Sequence, residues 1–434
     1  MKYILRDALR SLLSSRRHAL YYGMTFFLTT VLLFLYFNVA ESAREGSLEI
    51  FADASGRNTS LLMYLENGNV GVIVMVLIVL ICAADIMFAN AWFVRRKTEE
   101  IAVRMICGSS YSQLVLFLLF QTFLIVLCSV PAGIACSLLL MPAAGSVLKM
   151  AGAEFTVSVH PSASVEFITL LLFLLGWMVL LNIGTVWQSN AAEMLEETGR
   201  NKAAKRSVFT SLLTQWLPLI RWGSLFFFIL PVYMFYAGSD GIVFYTLLGC
   251  MCFPLLIRTS AVPLITYLNR KKNTGDAVRA ASYGFLRRDL SSAQSAVVLF
   301  LADLSILLYF MTHRGANPAE VFLLDMTFVL TAVLQAMTLM FRLETELAGR
   351  AEEYRILAET GFKKQVRKKV CSKELGMYFV ITGMILLLYP GSLLVSLAVN
   401  SELTGHSAAL LGILLSGILA VTYGIVRRHY LNLI

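Results

Sequence analysis

The sequence predicts an all-α membrane protein with ten transmembrane helices. Its mean hydropathy is +0.73, and 58% of its residues are hydrophobic while only 15% are charged, which is far from the composition of soluble domains. Apolar stretches near the roughly 20 residues that a helix needs to cross a bilayer recur along the whole chain. The predicted spans are 19–40, 70–94, 113–142, 165–187, 222–237, 242–266, 293–312, 321–341, 375–398 and 408–426.

The distribution of positive charge predicts the orientation of these spans. The net charge is +9. With a cytosolic N-terminus, only Arg44, Arg57, Lys149 and Arg314 of the 36 Lys and Arg would lie on the outer side. Cytoplasmic segments carry such an excess of Lys and Arg, so we predict that both termini are cytoplasmic. This placement accounts for the positive charge, and no nucleic-acid partner is expected.

Two amphipathic stretches each precede a predicted span. Residues 4–13 carry apolar side chains at helical spacing with charged residues between them, which is typical of a helix that lies on the membrane surface. A related stretch occurs at 277–290. Each is predicted to form an elbow before its span, and the tripeptide Leu-Ser-Ser at 13–15 corresponds to the same tripeptide at 290–292.

A charged segment that ends in glycine also occurs twice. Residues 95–108 read RRKTEEIAVRMICG, and residues 350–361 read RAEEYRILAETG. The copies match at a glutamate, Glu100 or Glu353, and at the terminal glycine. Glycine suits the end of a helix because it adopts the left-handed conformation without a Cβ penalty. We predict two cytosolic helices that couple the spans to a soluble partner, although any cytosolic loop between spans is polar and positive.

The residues predicted to form this coupling site are Glu99, Glu100, Ile101, Arg104, Met105, Gly108, Glu352, Glu353, Ile356, Leu357 and Gly361. The glutamates near each helix start are stabilised by the helix dipole and are available to basic residues of a partner. The apolar members would form a face that docks on the partner or lies along the membrane.

The order of these features divides the chain into three parts. Elbow, span, outer loop, span, charged segment and proline-bearing span follow one another in both halves. This predicts a four-span repeat at 1–190, a cytosolic linker with a two-span insert at 191–274, and a second four-span repeat at 275–434. An even number of spans gives both repeats the same orientation, as in parallel repeats. The polar residues at 238–241 are consistent with a hairpin between two spans or with a kink in one.

No constellation of catalytic residues is evident in the sequence. The phosphate-binding motif G-x-x-x-x-G-K-[ST] does not occur, and the five histidines and seven cysteines show no metal-ligand spacing. We therefore expect no catalytic site, metal or cofactor in this chain. Asp85, Asp303 and Asp325 fall within predicted spans, where an ionisable residue is a candidate for function. The alternative is that each carboxyl is bound by polar neighbours such as Gln335.

At the charged segments, the elbows and the proline-bearing spans, the chain resembles the FtsX-like permease family, which comprises membrane subunits of force-transmitting ABC transporters. The stretches that carry the resemblance are EEIAVRMICGSS and EEYRILAETGF. Ten spans in a four-two-four arrangement look most like the bacitracin-efflux type. That type has a large extracellular domain where this chain has only the short segment 312–320.

The resemblance implies both a partner and a function. It implies two copies of a separate cytosolic ABC ATPase, no enzymatic activity in this chain, and a place among the lipids of a bacterial plasma membrane. The chain would be the permease subunit that moves or extracts an amphiphile, such as an antimicrobial peptide or a lipid-linked molecule, and so confers resistance. Two alternatives stay open: a regulator that relays ATPase motion to a sensor histidine kinase or a hydrolase without transport, and an ion-coupled transporter centred on Asp85 and Asp303.

Overall fold

The structure is a computed structural model. It describes residues 2–14, 16–51, 70–150, 156–188, 217–237, 242–272, 276–312, 318–399 and 405–433. Regular structure in these ranges is helical throughout, as predicted. Eight of the described helices are long and apolar enough to cross a membrane, or nine if the bent pair Ala277–Ser291 and Gln294–Tyr309 forms one span.

The helices are long because the apolar stretches continue into polar ends without a break. Their bounds are α1 Lys2–Ser14, α2 Arg16–Phe51, α3 Val70–Ile106, α4 Tyr111–Met150, α5 Pro161–Gln188, α6 Leu217–Ala237, α7 Ile242–Leu256, α8 Val262–Lys272, α9 Ala277–Thr312, α10 Pro318–Glu359, α11 Lys364–Leu386, α12 Ser392–Val399 and α13 Gly405–Leu433. Short π-helical turns at Ile257–Ala261 and Leu387–Gly391 connect α7 to α8 and α11 to α12.

The predicted spans all fall on described helices. Eight of them coincide with a candidate span, and the stretch 293–312 lies in the bent pair. The remaining stretch, 222–237, lies in α6, a helix of 21 residues. The number of crossings stays a prediction, and residues 238–241, which decide between a hairpin and a kink, are outside the described ranges.

The chain forms two compact units. The first comprises Met1–Lys205 with His313–Leu330, and the second comprises Arg206–Thr312 with Thr331–Ile434. Helices α6, α7 and α8, which contain the two spans of the predicted insert, therefore belong to the second unit. The repeat boundaries predicted from the sequence stay predictions. The predicted cytosolic linker falls on residues 189–216, which are not among the described residues.

In the first unit, α2 packs against α3, α4 and α5. The core between them contains buried aromatic and aliphatic side chains, and the ring of Tyr22 stacks on that of Phe93 with 4.7 Å between centroids. Gly133 brings α4 close to α2, because a Cβ atom there would lie 2.8 Å from Cβ of Thr30. Small residues at such crossings allow close packing of membrane helices.

A chain of buried polar side chains also joins three helices of this unit. The hydroxyl of Tyr22 donates to Oδ1 of Asn90 at 2.9 Å, and Nδ2 of Asn90 donates to Oδ1 of Asn182 at 2.9 Å. Each bond satisfies polar groups that hydrocarbon surroundings would leave without water. The chain therefore ties α2, α3 and α5 together inside the apolar core.

In the second unit, α6 and α7 pack on each other, and α7 also packs on α9. The π-helical turn Leu387–Gly391 contains Pro390, which cannot donate a helical N–H bond. The preceding Tyr389 donates its hydroxyl proton to the carbonyl oxygen of Phe228 in α6. A Cβ atom at Gly249 in α7 would overlap this hydroxyl, so a larger residue there would displace the tyrosine.

Candidate functional site

The two charged segments continue helices that begin as candidate membrane spans. In α3 the apolar window ends at Arg95 and the helix continues to Ile106. In α10 the window ends at Leu343 and the helix continues to Glu359. At a rise of 1.5 Å per residue, the extensions are about 17 and 24 Å long. We call residues 95–108 the first charged segment and residues 350–361 the second.

Both charged segments end with the same backbone geometry. Gly108 and Gly361 have φ angles of 89° and 94°. In the first segment, Gly108 N bonds to the carbonyl of Met105 and the next N–H bonds to that of Arg104, each at 3.0 Å. The second segment repeats both bonds at the same spacing. This is the Schellman arrangement for a helix C-terminus, so the prediction that each helix ends at its glycine is confirmed.

The carboxylate of Glu100 is held within the chain. Its Oε2 accepts a hydrogen bond of 2.7 Å from Ser11 in the elbow α1 and one of 3.1 Å from Nζ of Lys97. Its Oε1 accepts from Nη2 of Arg104 at 3.2 Å. Sequence reasoning placed Glu100 opposite a partner's basic residues, whereas the structure gives it three partners in its own unit.

These contacts determine the ionisation of Glu100. Partial burial alone would favour the protonated form, but the hydrogen bond from Ser11 and the charge of Lys97 outweigh it. The pKa of Glu100 therefore lies below its ordinary value of 4.5. Lys97 is 4% exposed, so its ammonium group depends on Glu100 and Ser11 for compensation of its burial.

Ser11 connects three helices at this point. Besides donating to Glu100, its Oγ accepts from Lys97 at 2.5 Å and from Nε2 of Gln121 in α4 at 2.9 Å. Arg104 adds a second link to α1 through Asp7, at 3.5 Å between Nη1 and Oδ2. The elbow, the charged segment and the start of α4 are thereby joined at one end of the first unit.

The apolar face of the first charged segment is largely occupied. Ile101 and Ala102 are fully buried in a cluster with Leu114 and Leu118 of α4, and Met105 packs against the same cluster. The segment thus packs its apolar face on the following span. Docking of these side chains on a partner would require them to leave that cluster.

The second charged segment is held by a related set of contacts. Glu353 pairs with Arg288 of α9, in the stretch predicted to be the second elbow. The ring of Tyr354 lies 5.4 Å from that of Phe285 in α9, and its hydroxyl donates to Oε2 of Glu374 in α11 at 3.1 Å. Nη1 of Arg367 in α11 donates to the carbonyl of Tyr354 at 3.4 Å.

The two sets of contacts use equivalent positions. Aligning the Leu-Ser-Ser tripeptides pairs Ser11 with Arg288, and aligning the glycines pairs Gln121 with Glu374. Each charged segment therefore bonds to the same position of its elbow through the matched glutamate. Sequence reasoning missed these partners because Ser11 and Arg288 are different residue types. The tripeptide alignment nevertheless assigns them to equivalent positions of the two elbows.

The remaining predicted coupling residues differ in accessibility. Ile356 is 50% exposed, and the equivalent Val103, which the sequence prediction omitted, is 55% exposed. Leu357 is half-buried. The side chains of Glu99 and Glu352 lie outside the described set. Val103 and Ile356 are thus an equivalent pair of apolar side chains that face away from their own units.

The intramembrane carboxylates are distributed between the two units. Asp85 is fully buried in α3 of the first unit, and Asp325 is half-buried. Asp303, which is buried in α9 of the second unit, accepts a hydrogen bond from Nε2 of Gln335 in α10. For Asp303, this contact favours the structural interpretation over an ion-binding role.

A scan against protein-family models and a search of curated proteins each returned no match. Among the described residues, no group of three or more His, Cys, Asp or Glu is arranged to hold a metal ion. Function therefore has to be inferred from the charged segments themselves.

Proposed function

We propose that this chain is the transmembrane subunit of an ABC transporter of the FtsX-like type. In this proposal it has ten spans in a four-two-four arrangement, with two parallel repeats and both termini in the cytoplasm of a bacterial cell. A separate cytosolic ATPase, present in two copies, supplies the energy. The work is done on an amphiphile at the membrane, such as an antimicrobial peptide or a lipid-linked molecule.

One observation carries the proposal. Each unit has a membrane helix that continues past its apolar window, ends in the same Schellman geometry and is bonded through a matched glutamate to its elbow. A connecting loop needs only to be polar. The duplicated contacts instead support a role in which a force applied near Gly108 or Gly361 reaches several helices together.

The mechanism follows from which helices are joined. An ATPase that closes on ATP would push on the end of α3, which is continuous with the second predicted span. Because Glu100 and Ser11 bind that segment to α1, and Gln121 extends the contact to α4, three helices would tilt as one body. The same applies in the second unit through Arg288 and Glu374.

The exposed pair Val103 and Ile356 is the best candidate for direct contact with the ATPase. Both side chains are apolar and lie in the last turns of the charged segments. Because each side chain is about half exposed, burying one of them in a partner contributes about 1 kcal/mol, roughly half the value for a fully exposed side chain. Glu100 and Glu353 act differently in this proposal, since they position the segments through contacts within the chain.

Replacement of the exposed pair tests the proposal. We expect Val103→Asp combined with Ile356→Asp to abolish co-purification of the ATPase, while the protein stays folded because exposed positions tolerate substitution to within about 0.5 kcal/mol. Val159→Asp is the matched control, since Val159 is an equally exposed valine beyond the opposite end of α4. An ATPase complex that survives the double substitution intact would contradict the proposal.

Reversing the charge of Glu100 and Glu353 together gives a second test with a different expectation. This change breaks the bonds to Ser11 and Arg288, so it should uncouple ATP hydrolysis from substrate movement and weaken the complex. If hydrolysis is uncoupled but susceptibility to antimicrobial peptides is unchanged, the regulatory alternative replaces transport.

A further inference from the structure

An exposed apolar stripe of α11 follows two lysines. Val380, Met384 and Leu387 are exposed apolar side chains spaced three and four residues apart, so they lie on one face of the helix. Continuing the same spacing toward the N-terminus leads to Lys373 and Lys369. The face on the other side, which includes Val370 and Cys371, is buried in the unit.

The distance of these lysines from the apolar stripe is comparable with the thickness of a lipid headgroup layer. Lys373 precedes Val380 by seven residues, which is about 10 Å along the helix, and Lys369 lies about 6 Å further out. The headgroup layer on each side of a bilayer is about 5–8 Å thick. An acyl chain lying along Val380 and Met384 would therefore bring its phosphate close to both ammonium groups.

The equivalent stripe in the first unit has no positive charge. The alignment that matches Gly108 with Gly361 pairs Lys369 with Leu116 and Lys373 with Phe120. Leu127, which pairs with Val380, is exposed as well. An exposed apolar stripe is thus common to both units, whereas the lysines are specific to the second.

We propose that Lys369 and Lys373, together with the apolar stripe that follows them, form a binding site for one anionic phospholipid. The lipid phosphate lies between the two ammonium groups, and an acyl chain lies along Val380, Met384 and Leu387. A soluble acidic protein is a poorer occupant, because the charged pair continues the exposed apolar stripe. This site goes beyond the proposed transport function and does not depend on an ATPase.

The test exchanges the residues of the two repeats. The purified chain in detergent is mixed with dioleoyl phosphatidylglycerol and dioleoyl phosphatidylcholine, and the lipids that stay bound are counted by native mass spectrometry. Each cation near a membrane surface contributes about a fivefold preference for anionic lipid. We therefore expect Lys369→Leu with Lys373→Phe to reduce the preference for phosphatidylglycerol about 25-fold, the product of two such factors.

The reciprocal variant and a charge control make the result decisive. Leu116→Lys with Phe120→Lys should add a second site for phosphatidylglycerol. Arg427→Gln with Arg428→Gln removes two exposed cations at the end of α13 and should leave the preference unchanged. If the first exchange variant does not fold, Lys369→Gln with Lys373→Gln gives the same readout.

Two outcomes would overturn the lipid site. One is an equal loss of preference in the α13 variant, which would reduce the effect to general charge. The other is an unchanged lipid preference with loss of ATPase co-purification, which would assign the lysines to a protein partner. Because the binding measurement contains no ATPase, a negative lipid result leaves the proposed transport function standing.

Discussion

The contact between Gly249 and Tyr389 gives a prediction that the structure makes quantitative. Replacing Gly249 by alanine places a Cβ atom against the Tyr389 hydroxyl and 2.9 Å from Cγ of Pro231. Overpacking of this kind costs about 1–3 kcal/mol, and displacing the tyrosine adds about 1 kcal/mol for its bond to the Phe228 carbonyl. Alanine recovers about 0.5–1 kcal/mol of helix propensity. The net destabilisation should be about 1–3.5 kcal/mol.

A double-mutant cycle isolates the steric part of this cost. Tyr389→Phe alone should cost about 1 kcal/mol because it loses the hydrogen bond. With both substitutions present, the hydroxyl that blocks the Cβ atom is gone. Gly249→Ala should therefore cost less in the phenylalanine background, where only Pro231 and the ring still crowd the Cβ atom, and the coupling energy should be favourable by about 1 kcal/mol.

Unfolding in mixed micelles, followed by circular dichroism, measures the four free energies. Gly417→Ala is the matched control, since a Cβ atom at Gly417 in α13 has no atom within 4 Å. That control should be neutral or slightly stabilising. Strictly additive effects at Gly249 and Tyr389 would refute the packing of α7 against the π-helical turn.

Three further predictions concern the charged segments and the polar core. Because the pKa of Glu100 is lowered in the folded protein, its stabilising contribution is present above the unfolded value near 4.5 and is lost as the pH falls through the folded pKa. Hydrogen exchange of α1, corrected for intrinsic rates, should increase over that interval, and Glu100→Gln should abolish the dependence. Asn90→Leu removes two buried hydrogen bonds and should destabilise the first unit by about 1–2 kcal/mol in unfolding measurements, whereas a loss below 0.3 kcal/mol would contradict the polar chain. Gly108→Ala and Gly361→Ala should each cost about 1–2 kcal/mol through the left-handed backbone alone, and asparagine at the same positions should cost less.

Much of the fold follows from residue patterns that act locally. Hydropathy identified helices at all ten predicted spans, because a bilayer requires long apolar stretches with internally satisfied backbones. The glycine-terminated segments were also predictable, since the left-handed conformation is a local property of the chain. The division into two units depends on contacts between distant residues, and periodicity alone carries no signal for them.

The candidate site was predictable in its position and not in its contacts. The sequence predicted that the matched glutamates are available to a partner. In the structure, Glu100 instead bonds to Ser11, which lies 89 residues away in the chain. A serine in an amphipathic elbow gives no sign that it will accept from Lys97 and donate to a carboxylate. The sequence prediction also omitted Val103. A valine that follows Ile101 and Ala102 gives no indication from sequence alone that its side chain is exposed while theirs are buried.

The internal contacts of Glu100 bear on how such a segment can transmit force. A helix end joined only by its backbone would bend independently when a partner pushed on it, and the displacement would be lost in the first turn beyond the membrane. Bonds from Glu100 and Arg104 to α1, together with the packing of Ile101 on α4, oppose that bending. The second unit reaches the same result with different residues, since Arg288 replaces a serine and Tyr354 replaces an isoleucine. Because both charged segments are bonded to the neighbouring helices through different residues, the structure points to the rigidity of the connection, rather than any single side chain, as the feature that the two segments share.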